Sequence, residues 1–203
     1  YGSKIGLWAI ENNLPFVEMA VKSTIFDQFV GGRTLLDSQK SIDRLWAFHT
    51  YTVLDYGAEA KETEKDFNFT MNEYKRAIDF ASQNKCIPVI ATKLTGMARF
   101  ELLERMQNAQ ELSKNEILEY RTVLKRIDAV CSHAAKNGVS VFIDAEESWI
   151  QGSIDHLTWL MMKRYNKHRA VVYNTFQMYR HDRLEFLFKS FDNAQKEGFI
   201  LGA

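Results

Sequence analysis

Three short apolar runs recur along the chain: IPVIATKL at 87–94, VSVFIDAE at 139–146 and AVVYNTFQ at 170–177. They are rich in Val and Ile and largely lack polar alternation, the pattern of strands covered on both faces of a parallel sheet. Each closes on a polar residue: Lys93, Asp144 and Asn174. A weaker run, YTVLDYGAEA at 51–60, ends the same way with Asp55 and then Glu59.

Helical periodicity fills the intervals. From Ser113 a Ser-x-x-Glu capping box opens a helix whose apolar stripe is Ile117, Tyr120, Leu124, Ile127, Cys131 and Ala134. Asn137 and Gly138 should stop it with a left-handed cap. A second helix is expected behind Asp182 as cap, with Leu184, Phe188, Phe191 and Gln195 tracing one side and Gly198 ending it. A fifth strand should start in the apolar run that follows, residues 199–203.

Alternating strands and helices imply right-handed crossovers and a parallel α/β sheet. Polar groups at the carboxyl ends of successive strands favour a (βα)8 TIM-like barrel, whose active face lies at that end. A whole barrel takes about 250 residues, so the expectation is its first half only. Residues 1–50 should form an N-terminal helical segment and residues 51–203 the first part of the barrel, from a truncated chain. Two helical patterns between Lys93 and Asp144 make that connection long.

Charge and cysteine content narrow the partners. The 26 Lys plus Arg balance 26 Asp plus Glu, and no basic stretch stands out, so DNA and RNA are discounted. No run approaches the roughly 20 apolar residues of a bilayer span. The opening YGSKIGLWAIENNLPF lacks the layout of a signal peptide. Cys86 and Cys131 show no CxxC spacing and lie in apolar faces, which predicts buried thiols of a reducing compartment and no zinc site. The histidines form no close ligand set, and no GxGxxG or Walker loop occurs.

A strand can carry a charge only where it leaves the core, which puts Asp144 at the mouth. Glu146 and Glu147 follow in the loop or first helical turn, where a helix dipole stabilises carboxylates. Asp144 reads equally as a loop-tying carboxylate or as an acid that orients a ligand, with Lys93 as its natural counter-ion. Asn174 offers one acceptor and two donors, suited to a heterocycle edge or to a loop cap.

The combination DAEESW after one apolar strand, YNTFQMY (173–179) after the next, ATKLTG (91–96) before them and LDYGAEA (54–60) earlier still resembles the proline dehydrogenase family, from about Phe29 to the end of the chain. That resemblance implies a distorted (βα)8 barrel with non-covalent FAD at its mouth, oxidising L-proline to pyrroline-5-carboxylate by hydride transfer, the first step of proline catabolism. By matching position, Lys93 would neutralise the proline carboxylate, and Asp144 would be the catalytic carboxylate beside substrate and flavin. Ala145 would lend a backbone contact to the flavin and Asn174 would hydrogen-bond the isoalloxazine. Glu59 would belong to a gate, with Asp55 supporting the pocket. No metal is expected, since no DxDxDG loop occurs.

The family's later arginines and nucleotide contacts fall beyond Ala203, so this stretch alone is expected to be inactive. Family membership further implies a quinone electron acceptor, pyrroline-5-carboxylate dehydrogenase as a partner, and peripheral attachment to a respiratory membrane. That would be the bacterial inner membrane from the cytoplasm or, alternatively, the mitochondrial inner membrane from the matrix. Two other readings keep the barrel: a class I aldolase arrangement with Lys93 as Schiff-base lysine, and a non-catalytic scaffold.

Overall fold

The computed structural model of the chain describes residues 30–57 and 61–203. The chain divides into two compact units, Tyr1–Tyr51 and Thr52–Ala203. In the first, helix α1 (Leu35–Trp46) starts where Thr34 Oγ1 accepts the Asp37 amide at 3.1 Å. Behind its last turn the Trp46 ring meets His49 edge-on and Tyr51 at a tilt. Of the helical segment expected over residues 1–50, residues 30–34 and 47–50 are not helical and residues 1–29 lie outside the described residues.

The second unit runs β1 (Val53–Asp55), α2 (Glu64–Ser82), β2 (Val89–Thr92), a 3₁₀ turn (Leu94–Gly96), α3 (Phe100–Gln107), α4 (Lys114–Asn137), β3 (Ser140–Ile143), α5 (Gln151–Tyr165), β4 (Val172–Asn174) and α6 (Arg183–Glu197). The strands form one parallel sheet in the order β1-β2-β3-β4. Each strand forms inside the apolar run expected of it, and the long β2–β3 crossover carries two helices, α3 and α4.

Register divides the sheet into two faces. Leu54, Ile90, Val141 and Val172 stand in one row, and Thr92, Ile143 and Asn174 stand two residues further on the same face. Apart from half-buried Leu54, all of these are buried. The alternate row is Asp55, Ala91, Phe142 and Tyr173. Here Asp55 is exposed, Phe142 and Tyr173 are half-buried, and their rings meet at 5.2 Å. The first face therefore lies under the helices and the second is the more open.

The helix layer is held by apolar burial and by buried cations, of which Arg126 is the first. Ile78, Ile127, Ile154 and Leu157 are almost fully buried, each contributing on the order of 1.5–3 kcal/mol. Arg126 on α4 is 3% exposed. It donates to Asn68 Oδ1 (2.9 Å), to the Met97 carbonyl (3.2 Å) and to Glu64, and lies over the Phe67 ring. The α4 stripe holds in its second half, where Ile127, Cys131 and Ala134 are buried, but Val123, Arg126 and Val130 share it and Ile117 is exposed.

The expected helix ends form at α4, with the reciprocal Ser113–Glu116 capping box and Gly138 at φ +74°. Gly198 likewise ends α6 at φ +68°, a conformation that favours glycine. Two expectations for α6 are corrected. Asp182 precedes the helix without capping it through its side chain, because Arg180 engages both of its oxygens at 3.0 and 2.9 Å. The stripe Leu184, Phe188 and Phe191 is exposed, while Arg183, Ser190 and Ala194 are buried. The helix is turned so that Arg183 reaches a buried carboxylate and two small residues lie inward.

Residues 199–203 form no ladder, yet they lie along β4. Asn174 N donates to Gly202 O at 3.0 Å, and Ile200 N donates to Asn166 O at 2.8 Å. A Cβ on Gly202 would stand 2.2 Å from the Val172 carbonyl oxygen, so the close approach requires glycine. Asn166, fully buried at the end of α5, ties these segments together. Its Nδ2 donates to Val172 O and Ile200 O, and its Oδ1 accepts from the Val171 and Val172 amides. Both cysteines are buried and free, and burial pushes the Cys131 thiol well above its ordinary value.

Candidate functional site at the carboxyl edge of the sheet

Lys93 and Asp144 are the first residues past the β2 and β3 ladders. Asp144 N donates to Thr92 O at 2.9 Å, so the two exits are held side by side. Lys93 keeps extended geometry, φ −116° and ψ 132°. Strand periodicity carries both onto the open face, with Ala91 and Phe142, and Asp55 lies level with Ala91. Lys93 and Asp144 are half-buried. A cation and an anion thus leave neighbouring strands at one end and on one face of the sheet.

Glu146 has a different task. Its carboxylate accepts from Leu94 N (2.9 Å), Thr95 N (3.2 Å) and the Thr95 hydroxyl. Its own amide donates to Gln151 Oε1, and its carbonyl accepts from Gln177 Nε2, both at 2.9 Å. One acid therefore clasps the loops after β2, β3 and β4. Burial pushes its pKa up despite those donors, and the Glu147 charge adds to the rise. Glu147 is exposed, and Ala145, between Asp144 and Glu146, is half-buried.

Asn174 stands on the other face. Its Nδ2 donates to Asp155 Oδ1 at 2.8 Å. That carboxylate also receives Gln151 Nε2 at 3.0 Å and both terminal nitrogens of Arg183, at 2.8 and 2.9 Å. Arg183 and Asp155 are 5% and 7% exposed through their side chains, and the guanidinium lies 4.2 Å from the Phe186 ring centre. Asn174 Oδ1 is buried and meets no donor among the described residues. Asn174 also lines a recess of about 380 Å³ walled by Phe142, Tyr173, Thr175, Phe176 and Met178.

The structure thus brings Lys93, Asp144 and Asp55 to one edge and face, with Ala145 beside them and Asn174 at the same edge but turned toward α5. Glu59 lies outside the described residues. Among the described residues no His, Cys, Asp and Glu cluster could hold a metal ion. Sequence reasoning missed Tyr74, Asp155, Asn166 and Arg183. Each acts across the fold, on partners 19, 28, 34 and 28 positions away, so no local spacing announces it. Only the Asn that closes α5 before a strand carried a usable signal, as a polar helix stop.

Charged groups gathered where parallel strands end mark the carboxyl edge of this α/β protein's sheet as the candidate ligand site. The chain belongs to the proline dehydrogenase family, whose model matches residues 38–203. It is 26% identical to carbapenem antibiotics biosynthesis protein CarD of Pectobacterium carotovorum over 98% of this chain and 53% of that protein. It is also 26% identical to mitochondrial proline dehydrogenase 1 of Dictyostelium discoideum, over 90% of this chain and 39% of that protein. The chain spans about half or less of the length of these relatives. The crystal structure of proline utilization A from Bdellovibrio bacteriovorus, inactivated by N-propargylglycine, superposes with a TM-score of 0.72 at 15% identity. That match covers 90% of this chain and 20% of the other, and shows a shared fold.

Proposed function

We propose that the protein oxidises L-proline to pyrroline-5-carboxylate with a non-covalently held FAD, on a sheet that is the first half of a (βα)8 barrel. The observation that carries this reading is the placement of Lys93 and Asp144 side by side at adjacent strand exits of a proline dehydrogenase family chain. The Lys93 ammonium takes the proline carboxylate, and the Asp144 carboxylate keeps the pocket's charge balanced beside it. Asp55 and Glu59 support the pocket and its gate. These residues bind and orient a substrate whose amine must be unprotonated, so that the carbon beside nitrogen lies aligned for reaction.

The residues present fit a flavin. Asn174 Oδ1 is a buried acceptor that meets no donor among the described residues, and the recess beside it has aromatic walls. Asn174 and the Ala145 backbone would hold the ring. FAD, when bound, supplies the electron chemistry by accepting the hydride. A quinone as final acceptor, peripheral attachment to a respiratory membrane, and pyrroline-5-carboxylate dehydrogenase as partner follow from the same reading. Relatives named as mitochondrial proline dehydrogenases are consistent with that membrane. Among the described residues no helix is long and apolar enough to cross a bilayer.

The test is anaerobic mixing of the full-length, flavin-loaded protein with L-proline. Loss of the oxidised flavin absorbance with formation of pyrroline-5-carboxylate is expected. An unbleached flavin, with borohydride trapping a carbonyl substrate on Lys93, would overturn the reading in favour of Schiff-base chemistry.

A further inference from the structure

Lys93 lies beyond the last paired residue of β2, yet its backbone is not left to the loop. Thr92 O accepts from Asp144 N, so Thr92 turns its backbone polar groups toward β3. In a parallel strand the next residue turns its N–H and C=O to the opposite neighbour, which for Lys93 is β1. But the β1–β2 ladder ends at Asp55, level with Ala91, and residues 56 and 57 have no strand structure. The Tyr74 hydroxyl, reaching in from α2, occupies that place. It accepts the Lys93 amide at 3.0 Å and stands 3.5 Å from the Lys93 carbonyl oxygen, within reach of its own proton.

Tyr74 is fully buried, and the Tyr56 ring meets it edge-on at 6.2 Å. Burial raises its pKa well above the ordinary phenol value, and the charges of Asp55, Glu146 and Asp144 raise it further, so the hydroxyl stays protonated and can donate. The phenol lies beneath the edge that carries Lys93. Glu146 holds the next two amides, those of Leu94 and Thr95. Three consecutive backbone N–H groups, from residue 93 to residue 95, are thus held by side chains.

We propose that Tyr74 is a positioning residue for Lys93, its hydroxyl replacing the strand partner that β1 ceases to supply and so setting where the ammonium meets the substrate carboxylate. The inference rests on the substrate-binding role proposed for Lys93. Tyr74→Phe removes one oxygen and keeps the ring, so the core around α2 stays filled. The KM for L-proline should rise about tenfold, the equivalent of one hydrogen bond, with kcat changed less than twofold and flavin content unchanged. In a Lys93→Met background the same substitution should leave KM where Lys93→Met puts it. An unchanged KM in the single variant, or the same fold-rise in both backgrounds, would overturn the proposal.

Amide hydrogen exchange separates this proposal from the proposed function. In the wild-type protein the Lys93 amide should be protected like those of Ile90 and Ala91, and Tyr74→Phe should remove that protection selectively. If the flavin ignores L-proline while Lys93 behaves so, the function falls and the clamp stands. A Lys93 amide that exchanges like an open loop in the wild-type protein would overturn the clamp, whatever the substrate proves to be.

Discussion

Two polar clusters stand at the carboxyl edge of the sheet, one strand apart, and they behave differently. Around Lys93 and Asp144 the side chains lie on the open face, half-buried, and Tyr74 and Glu146 hold the backbone of residues 93–95 beside them. Around Asn174 the cluster lies between sheet and helices, and Asp155 and Arg183 meet there with both charges out of water. The difference comes from strand parity, since Ile143 and Asn174 share a face and Asp144 falls on the other. The open cluster is placed to exchange partners with a ligand, whereas in the closed one the Asp155–Arg183 pair holds α5, α6 and β4 together and only Asn174 Oδ1 is left to meet a ligand.

This contrast predicts that the closed cluster fails as structure and the open one as function. Asp155→Ala would leave the Arg183 guanidinium buried without its anion. Stability should fall by about 3–5 kcal/mol, read as a lower midpoint in urea unfolding. Lys93→Met, by contrast, should leave the midpoint nearly unchanged. It should raise the KM for L-proline about 100-fold, the scale of one lost charge-assisted contact. Equal losses of stability from both substitutions would erase the distinction between the clusters.

Glu146 should show a smaller, pH-dependent effect. Its pKa in the folded protein lies above the ordinary 4.5 because burial disfavours the anion. The folded state therefore holds the proton more tightly than the unfolded chain. This contribution to stability is present in full below about pH 4.5 and is lost as pH rises through the folded value. Glu146→Gln should flatten that part of the profile in urea unfolding followed from pH 4 to 7. A variant whose profile parallels the wild type would show that Glu146 titrates normally.

The order of strands and helices, the start of α4 and the ends of α4 and α6 were legible because they rest on local rules. Four apolar runs, a Ser113–Glu116 box and glycines at 138 and 198 each act within a few residues of themselves. The place of Lys93 and Asp144 was legible too, since a parallel sheet sends every strand exit to the same edge. What could not be read was which way a residue faces once the strand ends. Asn174 looked equivalent to Asp144, and parity separates them only when the register is known.

The rotation of α6 was hidden for a related reason. Leu184, Phe188 and Phe191 make the better apolar stripe, but the pairing of Arg183 with Asp155 turns the helix away from it. Buried charge pairs between helices leave no spacing in the sequence. Tyr74 is a similar case: a tyrosine in the buried stripe of α2 reads as core, and its hydroxyl acquires meaning only beside Lys93.

The claim on which the rest depends is that Lys93 and Asp144, brought together by adjacent parallel strands, act on one substrate. Anaerobic stopped-flow reduction of the flavin by L-proline, as a function of proline concentration, tests it in wild type, Lys93→Met and Asp144→Asn. The account predicts that Lys93→Met shifts the half-saturating proline concentration upward, that Asp144→Asn lowers the limiting rate, and that the double variant shows less than the product of the two effects. Reduction traces identical to wild type in both single variants, each folded and flavin-loaded, would contradict it.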